Sequence, residues 1–390
     1  MFGLYESALG HLTIGNVAML FIGAVLIYLG IVRKMEPLLL VTIGFGVFMV
    51  NLPIAGIMTY TPEGLPALGG LKEIAEGKIG VLNLLYYYGL NTELIPLLIF
   101  LGVGTLMDFS PTIARPISLV FGATAQLGVF VVFLIAHLSG MFTINEAACV
   151  GIIGGSDGPP TVYLTVAMAP VLLGPITMIA YSYMALVPIL QPPVIRLLTS
   201  KKERAIVMKP QIRKVSRLEL VLFPIIVFIS AALLVPKCAP LVGMLMFGNL
   251  LRVSGVTDRL ASAGSIMNDI LIILLGICVG GLMPAQVFFS PRTLVIIGLA
   301  ILAFIVSTAG GLMTAKFINL FLKEKINPII GAAGVSAIPM AARVAQQEGQ
   351  KANPQNYLLM HALGPNMAGA IGTSLVAGIF LGMLQKGNLW

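Results

Sequence analysis

The chain has 390 residues, of which 58% are hydrophobic and only 10% are charged. Soluble domains carry about 25% charged residues, so this composition excludes an ordinary soluble protein and indicates a polytopic membrane protein. The net charge of +8 does not indicate nucleic-acid binding, because seven basic residues fall in one loop, as cytoplasmic loops require. They are Lys201, Lys202, Arg204, Lys209, Arg213, Lys214 and Arg217.

The first half alternates apolar runs with charged flanks, which predicts its path through the membrane. The first run, 14–32, is long enough to span and is not a cleavable signal. Arg33 and Lys34 follow it, so its end lies inside and the N-terminus outside. The later predicted spans are 38–58 outward, 81–107 inward with a break at 89–93, 117–138 outward and 171–198 inward.

Segment 143–170 must therefore begin and end outside, which predicts a re-entrant hairpin. It contains Gly-Gly-Ser-Asp-Gly-Pro-Pro at 154–160, where the prolines remove backbone donors and break a helix. Asp157 is the charged residue of this break, and a carboxylate in a membrane costs about 2.5–3.5 kcal/mol on insertion scales. A broken helix with such a carboxylate is typical of a membrane cation site.

The second half repeats the plan. Predicted spans 220–235, 239–251, 270–283 and 293–311 precede a second broken segment, 327–339, which enters from inside. Residues 97–107 resemble 273–283, and 152–154 resemble 329–331, which favours inverted repeats meeting near mid-membrane. We expect an all-α polytopic membrane protein with about ten transmembrane helices and two re-entrant broken hairpins. The predicted parts are 1–199 with its hairpin at 143–170, the basic cytoplasmic loop 200–219, and 220–390 with its hairpin at 327–356.

Several polar residues at the breaks carry the oxygen ligands that hard cations prefer. Asp157, Asn327, Ser336 and Asn366, with carbonyls freed by the Gly364-Pro365 break, could hold sodium. The alternative is a set of satisfied polar kinks that hold helices together.

Other polar residues admit two interpretations each. Arg343, after the second break, could clamp a carboxylate at the cytoplasmic mouth of a cavity, or it could snorkel at the interface. Tyr181 and Tyr183 lie on a span kinked by prolines, and either could pack or place its hydroxyl in the cavity. Asn268 and Asp269 are expected to cap the start of a span.

Long motifs resemble a known family. They include NPIIGAAGVSAIPMAARV at 327–344 and NPQNYLLMHALGPNMAG at 353–369, and the similarity runs nearly end to end. The chain resembles the β subunit of the sodium-translocating biotin-dependent decarboxylases, which comprise the oxaloacetate, methylmalonyl-CoA, glutaconyl-CoA and malonate systems. Pro160 and Arg115 depart from the family pattern, which has threonine and more commonly asparagine there.

The resemblance implies a carboxybiotin decarboxylase that couples decarboxylation to sodium export and consumes a proton. It implies a multi-pass protein of the prokaryotic inner (plasma) membrane, a biotin carrier protein, a carboxyltransferase subunit and a small membrane anchor as partners, and a homo-oligomer of β subunits. Carboxybiotin would arrive on the carrier and not be attached here. The alternative is a sodium-coupled secondary transporter of an organic anion.

The family's functional residues fall on positions of this sequence. The implied catalytic residues are Arg343, Tyr183 and Ser336, and Arg343 also binds carboxybiotin. The implied sodium residues are Asp157, Asn327, Gly331, Ser336 and Asn366. Gly331, and the choice of Tyr183 over Tyr181, rest on the resemblance alone.

Overall fold

A computed structural model describes residues 8–61, 65–209 and 213–384. Its secondary structure is helical, and within these ranges the only β pairing is an isolated bridge between Tyr60 and Pro66. The predicted all-α fold class is therefore confirmed. Up to the basic loop the helices are α1 (Ile14–Ile31), α2 (Pro37–Asn51), α3 (Leu71–Ala75), α4 (Val81–Leu85), α5 (Leu94–Leu106), α6 (Ser110–Ala114), α7 (Ile117–Thr124), α8 (Leu127–Leu138), α9 (Ile144–Ile152), α10 (Gly158–Met168), α11 (Leu173–Leu198) and α12 (Lys201–Arg204). After it they are α13 (Arg217–Leu234), α14 (Ala239–Val253), α15 (Asp258–Gly281), α16 (Ala285–Phe288), α17 (Pro291–Asn319), α18 (Ile329–Ala332), α19 (Met340–Ala352) and α20 (Leu359–Leu384).

Among the described residues, 6 helices are long and apolar enough to cross a membrane, or up to 8 if each bent pair is one span. The predicted number of about ten is thus not confirmed, although the multi-pass character is. The six are Ile14–Ile31, Ile117–Leu138, Arg217–Leu234, Asp258–Gly281, Pro291–Asn319 and Leu359–Leu384. Pro37–Asn51 and Ile144–Gly155 are shorter apolar helices in regions where the sequence predicts membrane segments.

Two bends occur where the sequence predicts a break or a kink. Val81–Asn91 and Leu94–Leu106 meet at 62°, at the break predicted for 89–93. Pro170–Met184 and Leu186–Leu198 meet at 65°. Pro188 explains the second bend, because its ring removes one backbone donor and clashes with the carbonyl four residues earlier, that of Met184.

Both broken segments fold back on themselves. α9 and α10 lie side by side, since the Cys149 thiol donates to the Leu164 carbonyl at 3.8 Å across the two arms. The second hairpin pairs the single turn of α18 with the amphipathic helix α19. Two helix–break–helix hairpins are therefore present, while their re-entrant path in the membrane and the inverted-repeat relation between the halves stay predictions.

The helices pack most extensively within two groups. Group A consists of α1, α2, α5, α13, α14 and α15, and group B consists of α7 to α11 and α17 to α20. Close crossings inside group B depend on small residues: a Cβ on Gly331 would lie 2.2 Å from the Gly311 carbonyl oxygen. The two hairpins belong to group B, and the large cavity described below lies between the groups.

Candidate functional site

The two helix breaks touch each other at the centre of group B. The Ser336 backbone N–H donates to the Gly155 carbonyl at 3.1 Å. The Ser336 hydroxyl donates to Asp157 Oδ2 at 2.7 Å. Asp157 is 7% exposed and Ser336 is 3% exposed, so the structure brings these two predicted residues together in a buried contact.

The local sequence explains why the Asp157 carboxylate is free to serve this contact. Ser156 adopts a left-handed φ of 54°, which side chains other than glycine rarely adopt, and it turns the chain out of α9. Asp157 is the N-cap residue of α10, but its side chain makes no capping hydrogen bond. The carboxylate lies near the positive end of a helix dipole and is still available to a ligand.

Asn366 joins the same centre through the carbonyls of the second break. Its amide N–H donates to the carbonyls of Val335 at 2.7 Å, Ala333 at 3.1 Å and Ala337 at 3.4 Å. It follows Pro365, where the sequence predicts a break; this prediction is wrong, because α20 runs as one helix through this proline. Asn366 is fully buried and its Oδ1 has no hydrogen-bond partner, so this oxygen can still accept a donor or a cation.

A cavity of about 540 Å³ opens onto Asp157 and Ser336. Group A contributes α2, α5 and α15 to its wall, and group B contributes α10, α11, the second break and α20. Glu36 and Asp108 also line it, each in a connection between helices on the side that the basic residues predict to be cytoplasmic. The cavity thus runs from the predicted cytoplasmic side to the carboxylate at the two breaks.

Two buried side chains that line this cavity, Tyr181 and Asn268, carry an oxygen without a hydrogen-bond partner, and two more such oxygens lie at the breaks and on α20. The side-chain oxygens of Ser156, Tyr181, Asn268 and Asn366 are buried without a hydrogen-bond partner. No group of three or more His, Cys, Asp or Glu side chains in the described ranges could hold a metal ion. The donor set is carboxylate, hydroxyl and amide oxygen, which suits a hard monovalent cation better than a transition metal.

Arg343 lies near two residues that line the cavity, Pro339 and Glu36. It is exposed on α19, one turn after Pro339, which lines the cavity. Burial raises the pKa of the Glu36 carboxyl above its usual value, and the Arg343 guanidinium acts in the opposite direction, so the two groups lie within electrostatic range. Glu36 also has a left-handed φ of 39°, a strained conformation for a residue other than glycine.

Three other predicted residues do not reach the Asp157 carboxylate in this conformation. Asn327 donates to the carbonyls of Arg204 at 2.8 Å and Ile206 at 2.9 Å and so holds the basic loop. The Tyr183 hydroxyl donates to the Ile301 carbonyl at 3.3 Å. Gly331 lies at the close crossing of α18 and α17, where a side chain would separate the helices.

Comparison with known proteins decides the family. A model of the Na⁺-transporting oxaloacetate decarboxylase beta subunit matches residues 15–384. The chain belongs to this family. It is 49% identical over 378 residues to the methylmalonyl-CoA decarboxylase subunit beta of Propionigenium modestum, covering 95% of each chain. It is 44% identical over 423 residues to the oxaloacetate decarboxylase beta chain 2 of Salmonella typhi, covering 97% of each.

A third relative is the methylmalonyl-CoA decarboxylase subunit beta of Veillonella parvula, 48% identical over 376 residues, covering 96% of this chain and 94% of the relative. The family assignment confirms the resemblance seen in the motifs and the enzyme class, a sodium-transporting decarboxylase β subunit. The names of the relatives imply a multi-subunit complex, and the apolar helices make this subunit a membrane protein.

The structure also changes the roles that the sequence suggested for two residues of this β subunit. Asn268 was expected to cap a span, and this is wrong, because α15 begins at Asp258 and Asn268 lies inside the helix facing the cavity. Tyr181, not Tyr183, lines the cavity. The role of Asn268 could have been predicted from the sequence, because a polar amide inside an apolar membrane helix usually faces a cavity or a partner.

Proposed function

We propose that this β subunit decarboxylates carboxybiotin at the cytoplasmic side and uses the reaction to export sodium, consuming one proton. The observation that carries the proposal is the buried Asp157–Ser336 contact on a cavity that is also lined by Glu36, which lies within electrostatic range of Arg343. Relatives named for two different carboxylic acids, both over 40% identical to this chain, support it. Subunits this similar in systems with different acids would act on an intermediate that the systems share.

The proposed chemistry is the loss of a carboxylate from nitrogen. The N–C bond of carboxybiotin breaks, CO₂ leaves, and the biotin nitrogen takes up a proton. Arg343 would dock the carboxylate, and a wall that is mostly apolar would favour neutral CO₂ over the anion. The proton would come along the polar side of the cavity, from Ser336 and Asp157, with Tyr183 assigned by resemblance.

The coupling follows from one carboxylate with two possible occupants. Asp157 would hold sodium with oxygens of Ser336 and Asn366, or it would hold a proton. Protonation removes the negative charge and releases sodium to the outside. Each sodium moved against 100 mV costs about 2.3 kcal/mol, which decarboxylation would supply. Asn327 and Gly331 would support the site by holding the basic loop and the second hairpin in place.

The proposal includes partners and a location. A biotin carrier protein would bring carboxybiotin, a carboxyltransferase would load it, and a small membrane anchor and further β subunits would complete the complex in the prokaryotic inner membrane. Asp157→Asn tests the core of the proposal, because it keeps the shape of the side chain and removes its charge. We expect loss of sodium-dependent decarboxylation; an Asp157→Asn variant with normal sodium dependence would contradict the proposal.

A further inference from the structure

We propose that Tyr181 and Asn268 complete the sodium site, so that the bound cation joins helix group A to helix group B. This inference rests on the proposed function, and it extends the site to two residues on different helix groups that line the same cavity. Both side chains line the same cavity as Asp157 and Ser336.

Tyr181 supplies the first additional oxygen. It is 3% exposed, its hydroxyl has no hydrogen-bond partner, and it lies within electrostatic range of Asp157. Its ring packs against the start of α10: a Cβ on Gly158 would lie 2.1 Å from Cε1 and 2.4 Å from the hydroxyl oxygen. Glycine at 158 therefore makes room for this phenol beside the carboxylate. A buried hydroxyl without a partner is costly, and a bound cation removes that cost.

Asn268 supplies the second oxygen, from the opposite wall. It is 4% exposed on α15, and its Oδ1 has no hydrogen-bond partner. Its Cβ packs against Gly102 of α5: a Cβ added to Gly102 would lie 2.5 Å from the Asn268 Cβ. The Asn268 side chain is therefore held in place by another helix of group A. An amide oxygen presented on a fixed helix into a cavity is a suitable ligand for a hard cation.

The placement of these oxygens gives the cation a mechanical role. Asp157, Tyr181 and Ser336 belong to group B, whereas Asn268 belongs to group A. Sodium bound by both groups would favour the conformation in which they are close together, and its release would let them separate. Sodium would then bind the closed conformation more tightly than the open one, and this difference in affinity shifts the equilibrium between the two conformations.

The test uses the purified protein in detergent and needs no carrier. Thermal unfolding is followed with a thiol-reactive dye that reports the three buried cysteines, while NaCl replaces choline chloride at constant ionic strength. Tyr181→Phe keeps the ring that packs on Gly158, and Asn268→Ala keeps the Cβ that packs on Gly102. We expect each to raise the sodium concentration for half-maximal stabilisation by about tenfold, the effect of losing one good polar contact.

Matched controls are Tyr86→Phe, at a buried tyrosine away from the cavity, and Asn51→Ala, whose amide bonds the Met283 carbonyl. Both should keep the wild-type sodium dependence, even where Asn51→Ala lowers the melting temperature. If Tyr181→Phe or Asn268→Ala keeps the wild-type sodium dependence while Asp157→Asn loses it, the inference is overturned and the proposed function stands. If sodium does not stabilise the wild type more than choline, the sodium site itself is overturned.

Discussion

The Ser336 hydroxyl donates to the Asp157 carboxylate at 2.7 Å, although the residues are 179 positions apart. The contact joins the breaks of two hairpins, one in each half of the chain. It gives the buried carboxylate a partner in this conformation, and the partner is a neutral hydroxyl. A hydroxyl donor does not neutralise the charge of the carboxylate. Asp157 can therefore still bind a cation or take up a proton.

Ser336→Ala should destabilise the protein in sodium-free buffer by about 1–3 kcal/mol, because a buried carboxylate loses its hydroxyl donor. Thermal unfolding in choline chloride measures the effect. Ser374→Ala is the matched control, since this equally buried serine only donates to the Ala370 carbonyl of its own helix. Equal melting temperatures for the two variants would mean that the Asp157–Ser336 hydrogen bond stabilises the protein no more than the hydrogen bond of Ser374 within its own helix.

Gly331→Ala should destabilise by about 1–3 kcal/mol, the usual cost of overpacking, because its Cβ would meet the Gly311 carbonyl oxygen at 2.2 Å. Gly298→Ala is the control. Gly298 lies on α17, as Gly311 does, but no heavy atom lies within 4 Å of the added Cβ, so the free energy of unfolding should stay unchanged or rise slightly. Chemical unfolding of both variants in mild detergent compares them. A Gly331→Ala protein as stable as wild type would exclude a packing role for this glycine.

Asn327→Ala and Asn356→Ala should each loosen the basic loop. Both amides donate to the same two carbonyls, those of Arg204 and Ile206, at 2.8–3.1 Å. We expect faster trypsin cleavage after Lys201, Lys202 and Arg204 in both variants, measured by mass spectrometry of the fragments. Asn319→Ala, whose amide holds Ile326 instead, should not accelerate cleavage there.

The same pair of variants separates two roles for Asn327. If it only holds the loop, sodium-dependent stabilisation should be normal in Asn327→Ala and in Asn356→Ala alike. A sodium response lost in Asn327→Ala alone would instead place Asn327 among the sodium ligands, in a conformation other than this one.

Arg196 and Glu348 form an ion pair between α11 and α19, with guanidinium–carboxylate distances of 2.7 and 2.8 Å. Glu348 lies at the end of α19, outside the membrane-spanning helices. Burial raises its pKa, but hydrogen bonds from Arg196 and Lys351 outweigh this and hold the pKa below its usual value. A lowered carboxyl pKa stabilises the folded state above the unfolded value of 4.5, and the gain is lost as the pH falls below it.

Arg196→Met should therefore lower the free energy of unfolding at neutral pH, and the difference from wild type should shrink below pH 4.5. Unfolding curves measured from pH 7 to well below pH 4.5 follow this change. Arg213→Met, which breaks an exposed pair with Glu219, should lower the free energy of unfolding by less than Arg196→Met does at the same neutral pH. A pH-independent difference for Arg196→Met would mean that lost packing, not charge, causes the effect.

The sequence predicted the parts of the site that depend on local chemistry. Paired prolines and glycines mark both breaks, and the bend near 89–93 lies where it was expected. It could not predict which side chains meet, because neighbouring residues of one helix point in different directions: Tyr181 faces the cavity, whereas Tyr183 packs against Phe304. Asn268 was misassigned because the polar start of α15 hides the true helix boundary at Asp258.

The most direct measurement places the purified protein in sealed vesicles and supplies a carboxylated biotin carrier, with and without sodium. We predict that CO₂ release requires sodium and is accompanied by sodium movement across the membrane. The Asp157→Asn variant should lose both the CO₂ release and the sodium movement. If the carrier keeps its carboxyl group while a sodium gradient drives uptake of an organic anion, the protein is a secondary transporter and the account is contradicted.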